Sequence, residues 1–232
     1  MPHALIVAHG QPSAPDPAEA ALAAYAAEVD EYCDGVTVRS ATLAAPGVLE
    51  ARLDELPEDT VIYPLFMAKG WFVTSALPKR LGGKNTRILD PLGVDSMLPT
   101  LAAVALQNTL SYNGWNAADS DFVLAAHGSG RSRNPSAVAT AFSMELAEKI
   151  TFRSIRVGFV EEAPSIAEAA TGASDQALCL PFFACNGGHV LEDVPQELAR
   201  AQFKGHVMPV VGDLPPIKRH IANVLRQAFL QA

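Results

Sequence analysis

The segment Ile6-Val7-Ala8-His9-Gly10 returns as Val123-Leu124-Ala125-Ala126-His127-Gly128, with its histidine 118 positions later (127 − 9). A repeat at so long a spacing limits the fold strongly, because each copy is long enough to bury a core of its own. Ala45-Pro46 returns as Ala163-Pro164 at the same spacing. YPLFMAKGWFVTSALPKRL from Tyr63 returns as LPFFACNGGHVLEDVPQEL from Leu180 at 117. The halves also close alike. Pro91 to Leu110 precedes a Tyr-Asn-Gly-Trp-Asn turn, and the segment from Pro209 ends in the amphipathic run Ile217 to Phe229. The sequence therefore reads as a tandem duplication, with an N-terminal domain over 1–115 and a C-terminal domain over 116–232, joined near Asn113 to Ser120.

Within each half, short apolar or β-branched runs alternate with longer stretches of helical period, the pattern of βα units around a parallel sheet. In the second half, strands are predicted near 121–126, 154–159, 175–181 and 206–210. Pro135 starts a helix to Ile150, Pro164 starts a second, and Pro215-Pro216 open the last. The fold class is α/β: two similar doubly wound parallel-sheet domains facing each other.

Composition narrows the function. The net charge of −8 argues against a nucleic-acid partner, because backbone binding depends on a basic face that displaces counterions. No apolar stretch reaches membrane-spanning length, and MPHALIVAHG lacks a basic leader region, so a cytoplasmic monomer or homodimer without a membrane partner is expected. Cys33, Cys179 and Cys185 have no metal-cluster spacing. No G-x-x-x-x-G-K-[ST] loop occurs, so no nucleotide is expected.

In an open parallel sheet, ligands bind outside the carboxyl ends of the strands. His127 follows the first strand of the second half, Glu161 and Glu162 follow the next, and His189 lies beyond the third after Gly187-Gly188. Singly, each has a plain structural explanation: a strand-capping imidazole, or acidic charge ahead of a helix start. Together at one edge, two imidazoles and a carboxylate suit a borderline divalent ion, and three protein ligands leave coordination positions open. Either glutamate, 161 or 162, can supply the carboxylate.

The first half acts as an internal control. His9 is kept, but the 118-residue offset sets Leu43 and Ala44 opposite the glutamates, and the 117-residue offset of the later segment sets Phe72 opposite His189. Lys69-Gly70-Trp71-Phe72 offers an aromatic plane and a cation instead, either a ligand wall or an interface. Gly128-Ser129-Gly130-Arg131-Ser132-Arg133-Asn134 leads into a helix with amides, hydroxyls and two guanidiniums, a setting for carboxylates or phosphates.

At AHGS (Ala126 to Ser129), at Phe159 to Pro164 and at LPFFACNGGHVLEDVP (Leu180 to Pro195), the chain resembles the class II tetrapyrrole chelatases, the CbiX-like sirohydrochlorin cobaltochelatases and ferrochelatases. The likeness covers essentially the whole chain, since longer members are likewise two fused halves. It implies a chelatase fold with the tetrapyrrole in a cleft between domains. It also implies metal-binding or proton-accepting histidines at His127 and His189, and a glutamate ligand at Glu161. Departures are Gln11-Pro12 after His9-Gly10, a C-terminal LRQAFLQA without a histidine-rich tail, and no clustered cysteines.

The activity so implied is ATP-independent insertion of cobalt or iron, the metal being a substrate, into sirohydrochlorin or a related ring of cobalamin or siroheme biosynthesis. His127, Glu161 and His189 would hold the metal and accept pyrrole protons. Ser129, Arg131, Arg133, Gly187, Gly188, Trp71, Lys69 and His9 would meet the substrate. The rival from another class is a non-catalytic metal or tetrapyrrole carrier. A phosphohistidine enzyme lacks the arginine expected before its His-Gly, and a serine hydrolase lacks the G-x-S-x-G elbow.

Overall fold

Five consecutive residues of the first repeat, Ala4 to Ala8, and five of the second, Phe122 to Ala126, are apolar enough to be covered on both faces, as a central parallel strand requires. In the computed structural model, which describes residues 1–130 and 134–230, these become β1 (His3–Ala8) and β5 (Asp121–Ala126), each at the middle of its own sheet. In chain order β1 is followed by α1 (Pro15–Asp30), β2 (Thr37–Thr42), α2 (Val48–Glu55), β3 (Val61–Pro64), α3 (Leu77–Arg80), β4 (Arg87–Ile88) and α4 (Leu98–Tyr112). The second half repeats the series after β5 with α5 (Asn134–Ala147), β6 (Ser154–Phe159), α6 (Ile166–Ala170), β7 (Ala177–Phe182), α7 (Val194–Arg200), β8 (His206–Val207) and α8 (Pro215–Leu230). A π-helical turn precedes α3 at Phe72–Ala76 and α7 at His189–Asp193.

Both sheets are parallel and four-stranded, in the order β2-β1-β3-β4 and β6-β5-β7-β8. Strand order reverses beside β1 and beside β5, the switch point of a doubly wound sheet. The 206–210 segment pairs only over His206–Val207, because Met208 N–H makes the last bond to β7, at Cys179, before the chain turns. Predicted helix 135–150 ends at Ala147, and the helix after Pro164 begins at Ile166 with Ser165 and Glu168 as a reciprocal cap.

Each sheet buries one face against its own helices. In the first, Leu5, Val7 and Ile62 pack with Leu49, Leu53 and Leu77. In the second, Val123, Ala125 and Cys179 pack with Ile166, Ala169, Val194 and Leu198. Gly158 on β6 is needed for that packing, since a Cβ there would lie 2.6 Å from Ile166 Cα and 2.7 Å from the Ser165 carbonyl oxygen.

The compact units and the sequence repeat do not coincide. One unit is Met1–Asp95 with Lys218–Ala232, and the other is Ser96–Ile217. Helix α4, drawn by the repeat into 1–115, therefore belongs with the second sheet, and most of α8, drawn into 116–232, with the first. The residues of α8 explain its placement. Ile217, Ile221, Ala222, Leu225 and Ala228 make one buried stripe. Lys218 Nζ reaches Glu28 at 2.7 Å, and His220 Nε2 reaches Asp95 at 2.8 Å. No helix among the described residues is long and apolar enough to cross a membrane.

Asp121, which opens β5, is almost wholly buried and gathers the second sheet's lower edge. Its carboxylate accepts from the Arg153 guanidinium, from the Ser154 hydroxyl at 2.7 Å and from the Ser174 N–H at 2.8 Å. Burial pushes its acidity the other way, but these donors prevail and hold the carboxyl well below the usual carboxylate range. A depressed folded pKa adds stability above the unfolded value, about 3.9, and loses it as pH falls toward the folded one. Asp121→Asn should thus cost roughly 1.5–3 kcal/mol at neutral pH, the scale of hydrogen bonds to a charged group. In urea unfolding at stepped pH, the difference from wild type should narrow on acidification. A difference independent of pH would assign the loss to packing instead.

Candidate metal centre

The site in the second sheet starts from a strand alignment. Ala126 of β5 pairs with Phe159 of β6 and Phe182 of β7, so the three strands end level and their loops leave side by side. His127 is the first residue past β5. Its Nδ1 lies 2.8 Å from the Gly128 carbonyl oxygen, which can only accept, so Nδ1 carries the hydrogen and Nε2 keeps a free lone pair.

The turn that aims His127 requires glycine next. Gly128 has φ +69°, and a Cβ there would come 2.7 Å from Glu162 Oε1 and 3.0 Å from Phe159 Cβ. Glu162 fills that space, and its Oε1 accepts the Ser129 N–H at 2.8 Å. Glu162 thus braces the loop from below. Glu161 is tied in by its backbone, donating its N–H to the His127 carbonyl at 3.0 Å, and its Oε2 stands 3.9 Å from His127 Nδ1.

His189 arrives from the far side of β5. Gly187 and Gly188 lead into the π-helical turn, and the Gly187 carbonyl accepts from both Val190 N–H and Leu191 N–H at 3.0 Å. Gly188 has φ −51°, ordinary helical geometry. The His189 ring meets the His127 ring edge-on, with centroids 4.4 Å apart at 87°, and Phe183 packs against His127 at 6.4 Å. His189 Nδ1 is 2.7 Å from Asp193 Oδ2.

One donor atom each from His127, Glu161 and His189 lies within 4.8 Å of the other two. The three side chains are between 39% and 46% exposed, so an arriving ion and its departing waters have access. Two neutral imidazoles and one carboxylate suit borderline divalent metals, and a set of three leaves positions for exchange. The surrounding Glu162 and Asp193 add negative charge, which favours a cation.

The other residues singled out in the sequence sit as follows. Ser129 contributes its backbone to the Glu162 brace. Arg131 and Arg133 lie outside the described residues. In the first unit His9 repeats the His127 arrangement, with Nδ1 2.9 Å from the Gly10 carbonyl, Gly10 at φ +76°, and a ring 4.4 Å at 76° from Phe72. Trp71 is 66% exposed and edge-packed on Phe72 at 5.2 Å, and Lys69 Nζ pairs with Asp90 at 2.5 Å.

The pairing of halves around the glutamates needs correcting. Ala44 N–H donates to the His9 carbonyl as Glu161 N–H donates to that of His127, and Leu43 matches Val160 in the same way. Glu161 thus stands opposite Ala44, not Leu43, and Glu162 is an extra residue in a longer loop. Its bracing role was missed in the sequence. The signal was the change of offset from 117 at the strand ends to 118 at Ala163-Pro164, visible only once the halves are aligned on their strands.

Comparison with known proteins follows the same lines. The CbiX family model matches residues 121–231. The chain superimposes on the solved structure of CbiX, the terminal enzyme for biosynthesis of siroheme in denitrifying bacteria, with TM-score 0.87 and 43% identity, over 97% of this chain and 99% of that one. A probable sirohydrochlorin cobaltochelatase of Halobacterium salinarum is 24% identical over 166 residues, which are 60% of this chain and only 57% of that protein's length. SirB from Bacillus subtilis with Fe3+ shares the fold, with TM-score 0.75 and 16% identity, over 98% of this chain and 95% of that one.

Removal of any one of the three donors should weaken cobalt(II) binding, measured by calorimetry, by more than the roughly 10- to 100-fold that an outer-shell change costs. His9→Ala should leave affinity nearly unchanged, because Ala44 and Phe72 supply no further ligands. Binding that survives His189→Ala but disappears in His9→Ala would move the site to the first unit.

Proposed function

The chain belongs to the CbiX family, and from that premise we propose that it inserts a divalent metal, cobalt or iron, into sirohydrochlorin or a related tetrapyrrole without ATP. The observation that carries this reading is the convergence of His127, Glu161 and His189 on one edge of the second sheet, each offering a donor within 4.8 Å of the others. The relatives support it: one is described as the terminal enzyme of siroheme biosynthesis, the other as a probable sirohydrochlorin cobaltochelatase.

Metal insertion needs two things on one face of the ring: a weakly held ion and bases for two pyrrole protons. Nε2 of His127, and Nε2 of His189 with its Nδ1 on Asp193, supply lone pairs of the right hardness for the ion. As ring nitrogens replace protein ligands on the metal, a freed imidazole becomes a base that takes the first pyrrole proton. Glu161 offsets the charge of the ion and takes the second proton. No phosphoryl chemistry is called for, since coordination to four ring nitrogens itself drives the exchange.

The acidic periphery of a sirohydrochlorin-like ring requires cations in a protein of net charge −8. Arg131 and Arg133, following Ser129, are assigned to its carboxylates. In the first unit, Trp71 offers an exposed flat face to a macrocycle, with Phe72 and His9 behind it and Lys69 nearby on the chain.

The test is a turnover assay. Purified protein, sirohydrochlorin and cobalt(II) or iron(II), without ATP, should give repeated metallation seen as a shift in ring absorbance. His189→Ala should abolish it, while Phe72→Ala, its counterpart, should change KM or stability and leave kcat close to wild type. A single stoichiometric binding event without further turnovers would identify a carrier rather than an enzyme.

A further inference from the structure

The two imidazoles of the centre are held in different ways. His127 has its Nδ1–H on a backbone carbonyl, the Gly128 oxygen at 2.8 Å, and needs no side chain to orient its ring. His189 has a side-chain carboxylate, Asp193 Oδ2 at 2.7 Å, four residues ahead on the same π-helical turn. We propose that Asp193 is the positioning residue of His189: its carboxylate holds Nδ1–H, fixes the tautomer and keeps Nε2 as the donor to the substrate metal. This rests on the reading of the cluster as a metal site.

Three observations separate that role from an incidental ion pair. First, Asp193 is not required for the π-helical turn, because the first half forms the same turn over Phe72–Ala76 with alanine at the matching position. Second, Asp193 stands at the N-cap of α7 yet makes no capping hydrogen bond with its side chain, so a helix-terminus role does not account for it. Third, the histidine and its partner are lost together. Where His189 is replaced by Phe72, Asp193 is replaced by Ala76, although His9, the glycine turn and the 4.4 Å ring contact are all retained.

The chemistry explains the pairing. A half-exposed imidazole exchanges between tautomers and between ring orientations, and only some of these present a lone pair to the ion. A carboxylate can only accept, so it selects Nδ1–H and leaves the Nε2 lone pair to face the ion, the arrangement that outer-shell carboxylates impose on metal-bound histidines generally. The geometry also places the negative charge behind the ring, where it stabilises metal binding without taking up a coordination position.

The experiment is a cobalt(II) titration of the full chain, read both as affinity and as the visible ligand-field spectrum of the bound ion. Wild type, His189→Ala, Asp193→Ala, Asp193→Asn and the His189→Ala/Asp193→Ala double variant are compared, with thermal unfolding of the metal-free proteins as the check on folding. Asp193→Ala should bind cobalt roughly 10- to 100-fold more weakly, with a spectrum moved toward that of His189→Ala. Asp193→Asn, which keeps an oxygen to accept Nδ1–H, should fall between wild type and alanine, and carries the test if the alanine variant folds poorly. The double variant should match His189→Ala alone. Asp193→Ala with wild-type affinity and spectrum would overturn the proposal while leaving the metal site intact, as would an equal further loss in the His189→Ala background. Wild-type protein that binds no cobalt would overturn the metal-site reading, and this inference with it.

Discussion

The level ending of three parallel strands is the constraint on which the rest depends. Because Ala126 is in register with both Phe159 and Phe182, the chain leaves β5, β6 and β7 at one height, and side chains far apart in sequence are delivered to one place. A slip of one residue would exchange the faces of every side chain and take Val123, Ala125 and Cys179 off the helices they pack against. Apolar packing of Val123, Ala125 and Cys179 on α6 and α7 thus fixes the placement of polar groups that contribute nothing to that packing. The core thus sets His127 and Glu161, one and two residues past their strands, while His189 arrives through the longer segment that ends in Gly187-Gly188.

The duplication separates what the scaffold needs from what the chemistry needs. Both halves keep a histidine after the central strand, a left-handed glycine after it, and a π-helical turn entering the next helix. These features persist in the half that offers no second or third ligand, so they belong to the fold. The first half also shows how such a turn is supported without a carboxylate. A Cβ on Gly10 would meet the Thr42 side chain at 2.7 Å, where a Cβ on Gly128 would meet Glu162. A π-helical turn costs hydrogen-bond geometry compared with an α-helix, and its recurrence in both copies ties it to the common ancestor's architecture rather than to one ligand.

Much of this was legible in the sequence. The βα alternation, the central strands 121–126 and 154–159, and the convergence of residues 127, 161 and 189 on one sheet edge all follow from hydrophobic period and topology. What was not legible has physical causes. The repeat assigns α4 and α8 to the half in which they are encoded, but packing assigns each to the other compact unit, and hydrophobic period does not say which sheet a stripe will meet. The π-helical turns were invisible because their sequences, His189-Val190-Leu191-Glu192-Asp193 among them, read as ordinary first turns of helices. The hydrogen bond from His189 to Asp193 depends on that turn's geometry, so the spacing alone did not announce it.

The least legible feature was the division of labour between adjacent glutamates, and it comes from a single inserted residue. Between β2 and Ala45 the first half has two residues, Leu43 and Ala44. Between β6 and Ala163 the second has three, Val160, Glu161 and Glu162. The backbone bonds from Leu43 and Ala44 to Ala8 and His9 are repeated by Val160 and Glu161 to Ala126 and His127, so the extra residue is Glu162. Glu162 accepts the Ser129 N–H beneath Gly128, and Glu161 is left half exposed with Oε2 3.9 Å from His127. The second half thus differs from the first in two ways on a scaffold both share: donors stand where the first half has Ala44 and Phe72, and an added residue, Glu162, supports the glycine turn beside them.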